Sequence, residues 1–217
     1  MAHLLHIDSS LFSEASVSKE IARTFRQTWA AEHPGGLVTY RDLGAEPVPA
    51  LTEAALFAAQ VPEAERSPEQ AAALRTREEL VNEVLAADAY LLAAPMYNWG
   101  VAGTFKVWLD QILLVGTTAG GEVPPLSGRP ATVVLSYGGG YFPGSPREGW
   151  DFVQPYLETV LGKAMGLDLT FVTAQLTLAE RNPAMAELIP QSKELRAQAH
   201  EQAEVSARTL AARFAAV

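Results

Sequence analysis

The 217-residue chain contains no cysteine. Disulfide frameworks, thiolate nucleophiles and cysteine-based zinc sites are excluded with it. Cations are scarce too: 16 Lys and Arg stand against 25 Asp and Glu, a formal net charge of −9. A nucleic-acid binder usually shows a basic face, so no nucleic-acid partner is expected. No apolar run approaches the roughly 18 residues of a membrane span. The short segment Met1–Asp8 lacks the basic start of a secretory leader. These absences together point to a cytoplasmic protein without a membrane partner. The four histidines, at positions 3, 6, 33 and 200, are scattered and show no metal-ligand spacing, so no metal site is expected. His6 sits inside the first apolar run and reads as a core or sheet-end residue rather than a base. There is no G-x-S-x-G elbow, no Walker loop and no G-x-G-x-x-G after the first strand.

What the chain does contain is a globular balance, with 48% hydrophobic and 19% charged residues. Alanine supplies about a third of the apolar residues. It favours helix but buries little surface, so the core must rest on Leu, Val, Ile and the aromatics. Five apolar runs read as strands: Ala2–Ile7, Leu37–Tyr40, Ala89–Ala94 closed by Pro95, Ala131–Leu135 and Leu169–Ala174. Helical patterns separate them. One opens at Ser16 and Ser18 with Ile21, Phe25 and Trp29 on one face, and a short one covers Leu51–Gln60. Another runs from Pro68 to about Ala87 with Leu74, Val81, Val84 and Leu85 inward. Three more carry Val101, Phe105, Leu109 and Ile112, then Trp150–Lys163, then Glu187–Ala215. Val61–Ser67 reads as an exposed excursion and Gly116–Pro130 as a long loop. Continuous apolar strands alternating with helices imply a doubly wound, five-stranded parallel sheet, order 2-1-3-4-5, with helices on both faces. With no repeat and no composition break, residues 1–217 read as a single α/β domain.

In open parallel sheets ligands bind beyond the carboxyl ends of the strands. Three such ends carry unusual residues, and in the expected order they are neighbours. Ser9, Ser10, Ser13, Ser16 and Ser18 crowd the segment after the first strand and lead into a helix N-terminus. That suits a phosphate, through free N–H groups and hydroxyls; it also suits an ordinary capped turn. Pro95-Met96-Tyr97-Asn98-Trp99 follows the third strand. It can flank a flat heterocycle and hydrogen-bond its edge, or simply fill the sheet end. Ser136-Tyr137-Gly138-Gly139 follows the fourth. It can present backbone N–H groups to a planar ring, or form a plain turn. A borrowed redox cofactor fits a chain without a Ser/His/Asp or cysteine constellation.

Taken together these three loops resemble those of the FMN-dependent NADH-azoreductases, flavodoxin-like proteins related to the NAD(P)H:quinone oxidoreductases. The matching pieces are Asp8-Ser9-Ser10, Ser16-Val17-Ser18, Pro95 to Trp99, Ser136 to Gly139, and Leu109-Asp110-Gln111-Ile112 on the helix after the aromatic loop. The resemblance implies FMN, with Ser10, Ser16, Val17 and Ser18 on the phosphate. It gives Pro95, Met96, Tyr97, Asn98 and Trp99 to the isoalloxazine and Ser136, Tyr137, Gly138 and Gly139 to its dimethylbenzene or pyrimidine side, with Tyr141 and Thr118 on the substrate side. It implies no protein group as the catalyst, a homodimer with the sites between subunits, NADH or NADPH as hydride donor, and a quinone or azo compound as acceptor in a ping-pong cycle. The chain departs from the family's pattern at Gly116-Thr117-Thr118, at Gln175-Leu176-Thr177 and at Tyr137, all on the substrate side. The competing reading is an FMN-binding electron carrier without its own NAD(P)H turnover.

Overall fold

A computed structural model of the chain describes residues 2–215. Met1 of the expected N-terminal segment and the last two residues of the expected 1–217 domain lie outside them. The parallel strands are β1 (His3–Asp8), β2 (Leu37–Asp42), β3 (Ala89–Tyr97), β5 (Pro130–Ser136) and β6 (Asp168–Ala174), in the order β2-β1-β3-β5-β6. This is the expected 2-1-3-4-5 path. A sixth, two-residue strand is additional to the five expected: β4 (Gly100–Val101) folds back antiparallel onto Met96 and Tyr97 of β3.

The central strands are buried on both faces, which is why they read as unbroken apolar runs. β3 does not stop at Pro95, as the sequence suggests, but continues through it and pairs Pro95 with Ser136. The Ala93 carbonyl accepts from the Ser9 N–H. Pro95, two residues on, therefore turns its edge toward β1, which has already ended at Asp8. The missing proline N–H breaks no ladder bond there.

Among the described residues six α-helices accompany the sheet: α1 (Val17–Glu32), α2 (Glu53–Phe57), α3 (Pro68–Ala86), α4 (Gly103–Ile112), α5 (Gln154–Leu157) and α6 (Ile189–Ala215). Among the described residues none is long and apolar enough to cross a membrane. Ile21, Phe25 and Trp29 of α1 are fully buried, each contributing about 1.5–3 kcal/mol through apolar burial. They pack with Ala199, Ala203, Ala207 and Ala211 of α6, whose small side chains let the two helices approach. The opposite face buries Leu80 and Val84 of α3 and Phe105, Trp108 and Leu109 of α4 against β1, β3 and β5.

Some elements are shorter than expected. Ser67 caps α3 with Gln70 reciprocating and Pro68 in the first turn, so that start agrees with its sequence signal. The Leu51–Gln60 helix is α2 with a 3₁₀ turn appended at Ala58–Gln60. The Trp150–Lys163 helix begins only at Gln154, because Asp151 Oδ1 accepts from the N–H groups of Val153 and Gln154. From Glu158 to Ala164 it winds as a π-helix. The last helix starts at Ile189, after a 3₁₀ segment at Pro183–Leu188.

Candidate cofactor cleft

β1, β3 and β5 are adjacent, so the loops that follow them converge. Between them lies a cleft of about 350 Å³, within the usual range for a small-molecule site. Ser10, Ser16, Val17, Pro95, Met96, Tyr97, Ser136 and Gly138 line it.

The first wall is the loop between β1 and α1. Ser9 is fixed at the carboxyl end of β1, its Oγ–H donating to the Ala93 carbonyl at 2.7 Å. The Ser10 Oγ lies 3.1 Å from the Tyr97 hydroxyl oxygen and accepts from the Phe12 N–H at 3.2 Å. The Tyr97 hydroxyl oxygen also accepts from the Leu11 N–H at 3.1 Å. Ser16 caps α1 by accepting from the Lys19 N–H, and its Oγ lies 3.2 Å from that of Ser18. The N–H groups of Val17 and Ser18 fall in the first turn, where a helix offers them no carbonyl. The capped-turn reading of Ser16 is thus realised, and the same geometry leaves two amides unpartnered at the positive end of the helix dipole, Val17 lining the cleft and Ser18 wholly buried behind it. Gly44 backs this loop so closely that a Cβ would come within 2.0 Å of the Ser10 carbonyl oxygen.

Beneath the loop lies a buried polar network. His6 Nε2 lies 3.1 Å from Asp8 Oδ1, and Tyr40 donates to Asp8 Oδ2 at 2.8 Å. Burial alone would raise the Asp8 pKa. The hydrogen bond and charge of His6, the Tyr40 hydroxyl and the charge of Lys19 outweigh it, so Asp8 lies below the ordinary aspartate value. Lys19 itself pairs with Asp42 at 2.7 Å.

The second wall is the β3–β4 hairpin. Its tip residues Asn98 and Trp99 both adopt left-handed backbone, at φ 50° and 64°, as a two-residue type I′ turn requires. Asparagine tolerates this; tryptophan does so at a cost of about 1–2 kcal/mol. Asn98 and Trp99 stand outside the residues that line the cleft. Trp99 is exposed and meets Trp150 edge-on, ring centroids 5.9 Å apart.

The third wall follows β5. Gly138 faces the cleft, and a Cβ there would press to 2.7 Å from Leu178 Cδ1. Gly139 opens instead on a neighbouring apolar hollow beside Phe142 and Leu188. The Tyr137 side chain is not at the cleft. It is buried in the core and donates to Asp151 at 2.9 Å. Burial, with the nearby Asp151 charge, holds its hydroxyl protonated far above the usual tyrosine range. Tyr141 packs edge-on against Tyr137 at 5.4 Å, outside the cleft lining. Thr118 is wholly buried, donating to the Ile112 carbonyl and accepting from the Leu114 N–H at 3.0 Å. It braces the end of α4.

Of the wall formed after β6, sequence reasoning named only Thr177, as part of a departure on the substrate side, and missed the rest. Thr177, Leu178, Glu180 and Arg181 line the cleft, joined by Arg196 of α6. No local motif marks them. Only the sheet order, which puts β6 beside β5, brings them in.

A family model described as the flavodoxin-like fold matches residues 2–213. The chain belongs to that family. This flavodoxin-like chain is 51% identical over 217 residues to the FMN-dependent NADH:quinone oxidoreductase of Streptomyces avermitilis, spanning all of both sequences. It is also 51% identical to the enzyme of the same name from Streptomyces coelicolor, covering 98% of that protein. Among solved structures, an FMN-dependent NADH-azoreductase from Bacillus anthracis in complex with FMN superposes with a TM-score of 0.82 at 22% identity, over 97% of this chain and all of the other. The last likeness is one of fold.

Proposed function

We propose that the chain is an FMN-dependent NADH:quinone oxidoreductase that also accepts azo compounds. The observation that carries this reading is the cleft itself: unpartnered amides at the start of α1 lie at one end and a slot between β3 and β5 at the other. Full-length kinship to oxidoreductases of that name supports it. The donor set fits FMN. The hydroxyls of Ser10, Ser16 and Ser18 with the Val17 and Ser18 amides suit a phosphate, and the glycine cradle at Gly138 admits a flat ring.

When bound, FMN supplies two-electron hydride chemistry that no side chain of this site offers. The protein's own work is binding and orientation. Pro95, Met96 and Tyr97 would hold the ring, with Asn98 and Trp99 contributing from the hairpin tip beside them. The Ser136, Gly138 and Gly139 backbone would hold it too, and Tyr137 contributes only main chain. Ser10 and Leu11 hold the Tyr97 hydroxyl, which fixes that ring against the cleft floor. Tyr141 borders the acceptor's side, and Thr118 acts there only by stiffening its loop.

The proposal extends to a cytoplasmic homodimer acting as one domain per chain. Exposed Trp99 and Trp150 pack edge-on, and Leu11, Phe12 and Phe152 are exposed as well; such apolar surface would be costly to leave in water, and a second copy would cover it.

Recording the visible spectrum of the FMN-reconstituted protein before and after anaerobic NADH tests the reading. Flavin bands that bleach within seconds and return on adding a quinone support it. Bands that persist identify an electron carrier, and failure to retain FMN rejects both. Replacing Ser16 and Ser18 together by Ala should weaken FMN binding by about 1–3 kcal/mol, from two lost charge-assisted bonds. Equal affinity in a fluorescence titration would remove the phosphate from this end of the cleft.

A further inference from the structure

We infer that Arg181 is the cation that pairs with the flavin's phosphate, a positioning and affinity role that rests on the function proposed above. The loop after β6 is stitched to the glycine loop after β5. The N–H groups of Thr177, Leu178 and Leu176 donate to the carbonyls of Tyr137, Gly138 and Gly139 at 3.0, 3.2 and 3.0 Å. Leu176 takes left-handed backbone, φ 60°, to make that turn. The chain then closes on itself, with the Arg181 N–H donating to the Leu178 carbonyl at 3.0 Å. A rigid turn thus carries Arg181 across the cleft to the start of α1, where its Nη2 reaches 3.5 Å from the Ala15 carbonyl oxygen. That carbonyl immediately precedes the Ser16 cap.

Arg181 stands apart from the other charged groups at this wall. Glu14 lies 3.9 Å from Arg23. Glu20, in the first turn of α1, is held by Arg196 and by His200 at 3.1 Å. Glu180 faces Lys193 at 3.6 Å and Arg196 at 3.9 Å. Each carboxylate near the helix start therefore has a cation. Arg181 has no carboxylate within 4 Å among the described residues, although it lines the cleft. A guanidinium left unmatched beside two free amides and two hydroxyls is complementary to a phosphate monoester, which it can grip through two parallel hydrogen bonds.

The test compares FMN with riboflavin, which differ only in the phosphate, by flavin-fluorescence titration of the full chain. Arg181→Ala should weaken FMN roughly tenfold, the effect of a lost charge-assisted pair, and leave riboflavin within twofold of wild type. Arg181→Lys should recover much of the loss. Arg181 is exposed, so neither change disturbs the core. An unchanged FMN affinity in Arg181→Ala would overturn the inference, as would an equal loss for both flavins, which would place Arg181 at the ring. Failure of the wild-type protein to bind FMN would overturn the proposed function itself, and this inference with it.

Discussion

At the scale of single residues, the acid-base chemistry of the fold concentrates on Asp8. Its carboxylate receives Tyr40 and lies against His6 in a buried pocket directly under the serine loop. Its pKa in the folded protein is depressed below the ordinary value, so the stabilisation is present above the unfolded aspartate pKa near 4. It is lost as pH falls through the lower, folded-state value. Asp8→Asn should therefore destabilise the protein at pH 7 by about 1–3 kcal/mol, leaving buried donors poorly matched. The gap between variant and wild type should close as acid protonates Asp8 in the wild type. Urea midpoints at pH 7 and at successively lower pH below the unfolded aspartate value measure both, and a gap that stays constant throughout would show the carboxylate charge to be irrelevant. None of this was visible in the sequence, where His6 and Asp8 look like the last alternate residues of a strand. Their shared strand face brings those two together, and Tyr40, which β2 contributes from 32 positions away, completes the network on the other carboxylate oxygen.

At the scale of elements, the strands and α1 were legible because each signal is local. Ile21, Phe25 and Trp29 recur at helical spacing, and Ser16 stands where a cap must. The hairpin tip was not legible, since tryptophan has no preference for the left-handed backbone that Trp99 adopts. The long C-terminal helix was legible as a helix but not in its packing. Its inner face is Ala199, Ala203, Ala207 and Ala211, a seam of small residues that reads as weakly apolar. In the structure this seam is what lets α6 lie close on α1. Ala203 is fully buried there, so Ala203→Leu should cost about 1–3 kcal/mol through overpacking. A Ser192→Leu change, near the start of the same helix, would instead remove the hydroxyl that donates to the Leu176 carbonyl at 2.9 Å and disturb the loop bearing Arg181. Chemical denaturation separates these effects from flavin affinity. Ala203→Leu should lower the midpoint with FMN binding intact, and a stability equal to wild type would mean that the helices are not in close contact.

At the scale of the whole molecule, the cofactor cleft belongs to no single segment. Its residues come from loops after β1, β3, β5 and β6 and from α6, and they meet only because the strand order puts those ends side by side. This is why Ser10, Ser16, Met96 and Gly138 were recognisable by motif whereas Arg181 was not. It is also why the cleft and the fold should report on each other energetically. A ligand that touches four strand ends and two helices can bind only the folded chain, so its binding free energy adds to stability by mass action. FMN at one hundred times its dissociation constant should add about 2.7 kcal/mol, raising the melting temperature of a chain of this size by about 5–10 °C. If the aromatic rim around Trp99 and Trp150 is covered by a second copy, the melting temperature should also rise with protein concentration, because dissociation then accompanies unfolding. Calorimetry over a hundredfold range of protein concentration, with and without FMN, reads both dependences. A melting temperature insensitive to FMN would remove the cofactor from the cleft, and one insensitive to protein concentration would leave the rim to some partner other than this chain.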